Sequence, residues 1–111
     1  MADKTELLQK PDVRAAWLLV TNGPHRGRDY RLQKTSNIGR DAQANEIILD
    51  DDALSAEHAR IRFENGVYVL YDLASSNGTR LNNERIQKAI LHDEDRIEIG
   101  HTVVVFKEVK V

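Results

Sequence analysis

Arg60-Ile61-Arg62-Phe63-Glu64-Asn65-Gly66-Val67-Tyr68-Val69-Leu70-Tyr71 is the stretch from which the fold can be read. Arg60 to Phe63 alternates polar and apolar, which puts Ile61 and Phe63 on one face of a strand. Asn65-Gly66 separates it from a second β-rich run, Val67 to Tyr71. Both turn residues tolerate positive φ, as a type I′ turn requires, so the stretch predicts a hairpin.

The same grammar extends in both directions. Trp17-Leu18-Leu19-Val20 reads as a buried strand stopped by Asn22-Gly23-Pro24. Arg96 to Ile99 alternates again, and Gly100-His101 turns the chain into the β-branched run Thr102 to Phe106. Short strands at this spacing predict a β-sandwich. Two stretches also carry helical features, Asp52 to Ala59 and Glu84 to Leu91, the second through Ile86, Ala89 and Ile90. Residues 1–13 are polar and read as a tail or linker, leaving 14–111 as the domain.

Bulk composition narrows the function. A chain of 111 residues fits one domain. The absence of cysteine excludes a disulfide framework and thiolate metal sites and suits a reducing, cytoplasmic setting. Sixteen Lys and Arg against eighteen Asp and Glu give none of the basic excess that nucleic-acid binding selects for. One Trp, three Tyr and two Phe are too few for base-stacking platforms. The N-terminal stretch has no signal-peptide pattern, and no run of apolar residues is long enough to span a membrane.

Four clusters then stand out in order: Ile38-Gly39-Arg40; Leu54-Ser55-Ala56-Glu57-His58; Asp72-Leu73-Ala74-Ser75-Ser76-Asn77-Gly78-Thr79; and Asn82. Leu91 to Gly100 follows near the end. Gly-Arg, Ser-x-x-His and Ser-x-Asn-Gly-Thr-x-x-Asn, in this order and at these separations, resemble the forkhead-associated (FHA) domain family. The resemblance covers roughly residues 16–107. It implies an all-β sandwich of two mainly antiparallel sheets, about eleven short strands, with binding loops at one end. It also implies a module that binds phosphothreonine-containing protein segments made by an upstream Ser/Thr kinase, with no catalysis and no cofactor.

The chemistry of the residues agrees with that implication. A phosphothreonine carries about −1.5 to −2 charges at neutral pH and three acceptor oxygens. Arg40 offers a planar donor fork that stays charged, and Ser55 a short hydroxyl donor. Small polar groups and backbone N–H groups around Ser76-Asn77 can complete an anion nest. By the resemblance, the Asn77 amide hydrogen-bonds the main chain of the bound peptide, while Gly78 and Thr79 lead the loop back into a strand. Gly39 and His58 are then structural: the glycine lets loops approach, and the histidine ties the Ser55 loop to its neighbour. Asn82 stabilises a turn through its side chain. Arg80, after the second binding loop, is a candidate cation for reading an acidic residue beside the phosphothreonine.

The chain departs from the family pattern in places. Asn82-Asn83 stands where Asn-Gly is common, and Glu94 where glycine is common. Ala53, Leu54 and Ala56 supply no polar side chain around Ser55. Thr5 lies in the polar tail, and some small FHA proteins use such a tail as an internal ligand once phosphorylated.

Other readings were open on residues alone. Ser55, His58 and Asp72 are the residue types of a hydrolase triad, but no Gly-x-Ser-x-Gly elbow accompanies them. Asp50, Asp51 and Asp52 with His58, or His92, Asp93 and Asp95, lack the spacing of calcium or zinc ligands. Ser55 could N-cap the helix-like stretch, with Glu57 and His58 on its first turn. His25, His92 and His101 read as solvated loop residues. The remaining alternative is a phosphate-independent interaction or dimerisation module on the same fold, within or apart from a larger signalling protein.

Overall fold

A computed structural model of the protein describes residues 14–110. The tail and Thr5 therefore lie outside the described residues. Within them there is no helix, and the strands are β1 (Arg14–Val20), β2 (Asp29–Arg31), β3 (Thr35–Gly39), β4 (Ile47–Ile48), β5 (Ala59–Glu64), β6 (Val67–Asp72), β7 (Thr79–Leu81), β8 (Glu84–Ile86), β9 (Lys88–Leu91), β10 (Arg96–Ile99) and β11 (Thr102–Lys110). They form a six-stranded sheet, β2-β1-β11-β10-β7-β8, and a five-stranded sheet, β4-β3-β5-β6-β9. The short β3–β4 pair is parallel; the remaining ladders are antiparallel.

The hairpin that opened the sequence reading is β5–β6, in register from Ala59 opposite Asp72 to Glu64 opposite Val67. Asn65 (φ 52°) and Gly66 (φ 79°) both take the left-handed conformation, as the turn demands. Alternation carries the inner residues of both sheets into one core. Leu18, Ile97, Ile99, Val104 and Phe106 come from one sheet; Ile38, Ile61 and Leu70 come from the other. Each such buried side chain contributes about 1.5–3 kcal/mol of burial free energy. Tyr68 bridges the layers, its ring centroid 4.8 Å from Phe63 and 5.4 Å from Phe106.

Neither helix expectation holds. In 52–59 the donors and acceptors a helix needs are taken by other groups. Ser55 N donates to His58 Nδ1 at 3.1 Å, and the Ser55 and Ala56 carbonyls accept from Arg40 and Asp41 at 3.2 Å each. Ser55 caps no helix. Residues 84–91 divide at Gln87, with β8 pairing β7 in one sheet and β9 pairing β6 in the other. Helical dihedrals there would leave both sheet edges unpaired, so tertiary pairing overrides the local spacing.

The ladders also sort the connections into two poles. Ala59 opposite Asp72, Ile99 opposite both Thr79 and Thr102, and Val20 opposite Val104 lie toward one pole. That pole gathers the loops 40–46, 49–58 and 73–78. Asp51 fastens the β10–β11 turn to it, accepting from His101 N at 2.9 Å and Thr102 Oγ1 at 2.7 Å. Burial alone would raise the Asp51 carboxyl, but these bonds and one from Ala53 N hold it below its ordinary value. At the other pole lie the β5–β6 and β7–β8 turns, and there Arg14 faces Lys110 across the β1–β11 ladder. Asn82 (φ 49°) and Asn83 (φ 73°) make the β7–β8 turn without glycine; Glu94 at φ 75° is the less tolerant substitution.

Candidate functional site

Three loops at one pole are cross-bonded into a single unit. Arg40 follows the last residue of β3, and its N–H donates to Ser55 O at 3.2 Å; Asp41 N reaches Ala56 O at the same distance. This close approach depends on Gly39. A Cβ there would fall 2.2 Å from Ala56 O and 2.8 Å from the Asn45 amide. Asn45 is buried, and its Nδ2 donates at 2.7 Å to both Asp41 O and Ala56 O. Nothing in the sequence distinguishes this asparagine from solvent-facing ones, and it escaped the sequence reading.

The second and third loops meet through Ser55, His58 and Asn77. Ser76 N donates to Ser55 Oγ at 3.0 Å, and Asn77 Nδ2 donates to Ala53 O at 2.8 Å. His58 is fully buried. Its Nδ1 accepts from Ser55 N at 3.1 Å, and its Nε2 lies 2.8 Å from Gly78 O. Acceptance at Nδ1 places the proton on Nε2, which donates to the carbonyl. His58 N also donates to Ile38 O, and Leu73 N to His58 O, both at 2.9 Å, so one residue ties its own loop to the 73–78 loop and to β3.

The third loop is shaped by Asp72. Its carboxylate accepts from Ser75 Oγ (2.6 Å), Ser75 N (3.2 Å) and the buried Thr79 Oγ1 (2.7 Å). Burial pulls this carboxyl up, yet the bonds from Ser75 and Thr79 outweigh it and hold it below its ordinary value. Ser75 Oγ also accepts from Gly78 N at 2.9 Å. Asp72-x-x-Ser75, with an acceptor three residues before a backbone N–H and a hydroxyl, is the local spacing that could have revealed this brace. Of the amides from 75 to 78, three are thus engaged; the Asn77 N–H has no partner among the described residues. The anion nest expected around Ser76-Asn77 is correspondingly smaller, since the Ser76 N–H is already committed to Ser55.

The loops therefore bring Arg40, Ser55, Ser76 and Asn77 into one cluster supported by Gly39, His58, Gly78 and Thr79. Arg40, Ser76 and Asn77 are exposed and Ser55 half-buried. The Arg40 guanidinium has no hydrogen-bond or ion-pair partner among the described residues. Ser55 Oγ accepts one bond and keeps its own proton to donate. Two expected residues stand apart. Arg80 lies in β7 on the exposed face, opposite Glu98 and Arg85. Asn82 is at the far end of β7, where it bonds Asp95 Oδ1 and Arg96 N, each at 3.0 Å, and braces the β7–β8 turn.

The competing chemistries find no matching geometry. Asp72 bonds Ser75 and Thr79 rather than the His58 ring, and that ring meets the Ser55 backbone rather than its hydroxyl, so no triad relay forms. Both His58 nitrogens are engaged, which removes it from any metal site with Asp50–Asp52. Asp51 and Asp52 lie near His101 instead, but Asp51 is occupied by its three donors. His25 is half-buried rather than fully solvated and accepts from Asp50 N at 3.0 Å.

Comparison with known proteins agrees with this architecture. The FHA domain family model matches residues 36–100. The glycogen accumulation regulator GarA of Mycolicibacterium smegmatis is 38% identical over 93 residues, covering 83% of this chain and 58% of that protein. The chain thus spans a little over half the length of this relative. A solved FHA domain from a study of phosphothreonine-dependent FHA domain interactions superposes with a TM-score of 0.77 at 35% identity, covering 84% of this chain and 95% of the other. Mycobacterium tuberculosis EmbR, in complex with a low affinity phosphopeptide, gives 0.76 at 37% identity, covering 84% of this chain and 24% of EmbR. With the fold, the loop cluster and the sequence match in agreement, this chain belongs to the FHA domain family.

Proposed function

We propose that the chain binds protein segments carrying phosphothreonine, through Arg40, Ser55, Ser76 and Asn77, and catalyses no reaction. The observation that carries this is a set of bonds among three loops that brings the Arg40 backbone, the Ser55 hydroxyl and the exposed Asn77 together, with an Arg40 guanidinium that has no partner among the described residues. Arg40 and the Ser55 hydroxyl supply charge-assisted donors to the phosphate. The Asn77 carboxamide and its backbone N–H, which has no partner among the described residues, address the main chain of the peptide. The bonds among the loops exist before any ligand arrives, so little ordering of the protein opposes binding. The phosphothreonine-dependent interactions of one solved relative and the phosphopeptide bound to another support the same reading.

The setting proposed with it is a cytoplasmic signalling protein downstream of a Ser/Thr kinase, with 14–111 as the binding domain and 1–13 as a tail. Among the described residues no helix is long and apolar enough to cross a membrane. The test is a titration with a phosphothreonine peptide library and its unphosphorylated twin. Binding confined to the phosphorylated set supports the reading; equal binding of both sets favours a phosphate-independent interaction module.

A further inference from the structure

Arg85 of β8 lies directly across the ladder from Arg80 of β7, and both side chains are exposed on the outer face of the six-stranded sheet. Like charges placed directly opposite in a ladder repel one another. The neighbouring carboxylate is Glu98, the β10 partner of Arg80, and it is engaged by Arg96 at 3.2 Å. Arg85 has no ion-pair partner among the described residues.

Its side chain leans toward the recognition loop. A Cβ on Gly78 would fall 2.7 Å from Arg85 Nε and 2.9 Å from Cζ, so the guanidinium lies across the glycine that follows Asn77. Gly78 stands just before β7 with φ 83°, and Arg85 occupies the side-chain space that this glycine leaves empty. Two repelling, incompletely neutralised cations thus border the loop, one of them resting on it.

We propose that Arg85, with Arg80 beside it, forms a second anion subsite. It takes an acidic group of the partner near the phosphothreonine and draws that partner off the loop tips onto the outer face of β7 and β8. The inference rests on the phosphothreonine reading and gives the partner a chemical class: acidic around the phosphorylated residue. A carboxylate or a second phosphate presents the same oxygen geometry to the guanidinium fork. Because the site is exposed, the gain is modest, about two- to fivefold in affinity.

The experiment moves a single Asp, or a single phosphoserine, through an alanine background around a fixed phosphothreonine. The wild-type protein, Arg85→Gln and Arg40→Ala are each titrated by fluorescence anisotropy, with melting temperatures recorded. The quantity read is the affinity ratio of acidic peptide to alanine peptide. In the wild type it rises at one position; in Arg85→Gln it falls to about one there, whatever the absolute affinity. The arm showing the rise distinguishes a carboxylate partner from a doubly phosphorylated one. A flat wild-type profile, or a rise that survives Arg85→Gln, overturns the subsite and leaves the phosphothreonine reading standing. Equal binding of unphosphorylated peptides, or undiminished binding by Arg40→Ala, overturns that reading and this inference with it.

Discussion

Replacing Gly39 with alanine should separate the loops without touching a single proposed contact. The backbone at 39 is not in the left-handed region, so the obstacle is steric alone. A Cβ would stand 2.2 Å from the Ala56 carbonyl oxygen, about an ångström inside ordinary contact, and a backbone carbonyl cannot rotate away as a flexible side chain can. To admit the methyl, the 40–41 and 55–56 segments must part, which removes the Arg40–Ser55 and Asp41–Ala56 bonds, each 3.2 Å long. Those bonds contribute about 0.5–1.5 kcal/mol apiece, and overpacking adds about 1–3 kcal/mol, for a loss of about 2–6 kcal/mol. For a domain of this size the melting temperature falls by about 10 °C or more. Calorimetry and phosphopeptide titration should show stability and affinity falling together, although Arg40, Ser55 and Asn77 are intact. Adding Asn45→Ala removes the side-chain contacts at 2.8 Å but not the carbonyl at 2.2 Å, so the double variant should be no better. A Gly39→Ala protein that melts and binds as the wild type does, or one rescued by Asn45→Ala, would refute the reasoning.

Arg40→Ala should weaken phosphopeptide binding by about 2–5 kcal/mol while leaving the urea midpoint unchanged; wild-type affinity would mean the site lies elsewhere. His58→Ala strands the part-buried Ser55 N–H and the buried Gly78 carbonyl and opens a cavity, a stability loss of about 3–5 kcal/mol. An affinity loss at unaltered stability would make His58 a contact instead. The Asp72 carboxyl is held below its ordinary value of 3.8, so its contribution is present above that pH and is lost as pH falls through the folded-state value. Urea midpoints measured down a series of acidic pH values should decline, and Asp72→Asn, weaker at neutrality, should decline less; equal slopes would contradict this. Phosphopeptide affinity should drop as pH passes below about 6, where the phosphate takes up its second proton, and a flat profile across that range would count against a dianionic ligand.

The hairpin, the outer strands and the three loop motifs were legible because each is written in local chemistry. Alternation, Asn65-Gly66 and Gly100-His101 specify strands and turns whatever surrounds them. The stretch 84–91 was not legible. Ile86 and Leu91 reach the core from strands in different sheets, and the change of sheet at Gln87 depends on distant partners. The braces divide the same way. Asp72 announces itself through the serine three residues on, whereas Asn45 acquires its role only when Ala56, eleven positions away, is folded against it. The contrast between Arg80 and Arg85 is a register effect: the motif ends at Arg80, but the ladder sets Arg85 opposite it and lets that side chain lean back over Gly78.

The pairing of Arg14 with Lys110 has a practical corollary. Facing Cα atoms in an antiparallel ladder sit about 5 Å apart, and the three loops occupy the opposite pole. The domain can therefore be spliced into a surface loop of a host protein, or permuted through a short bridge between those two residues, without disturbing ligand access. A fluorescent reporter fused at either point would stand clear of the three loops, so the phosphopeptide titrations proposed above could be read from the domain itself.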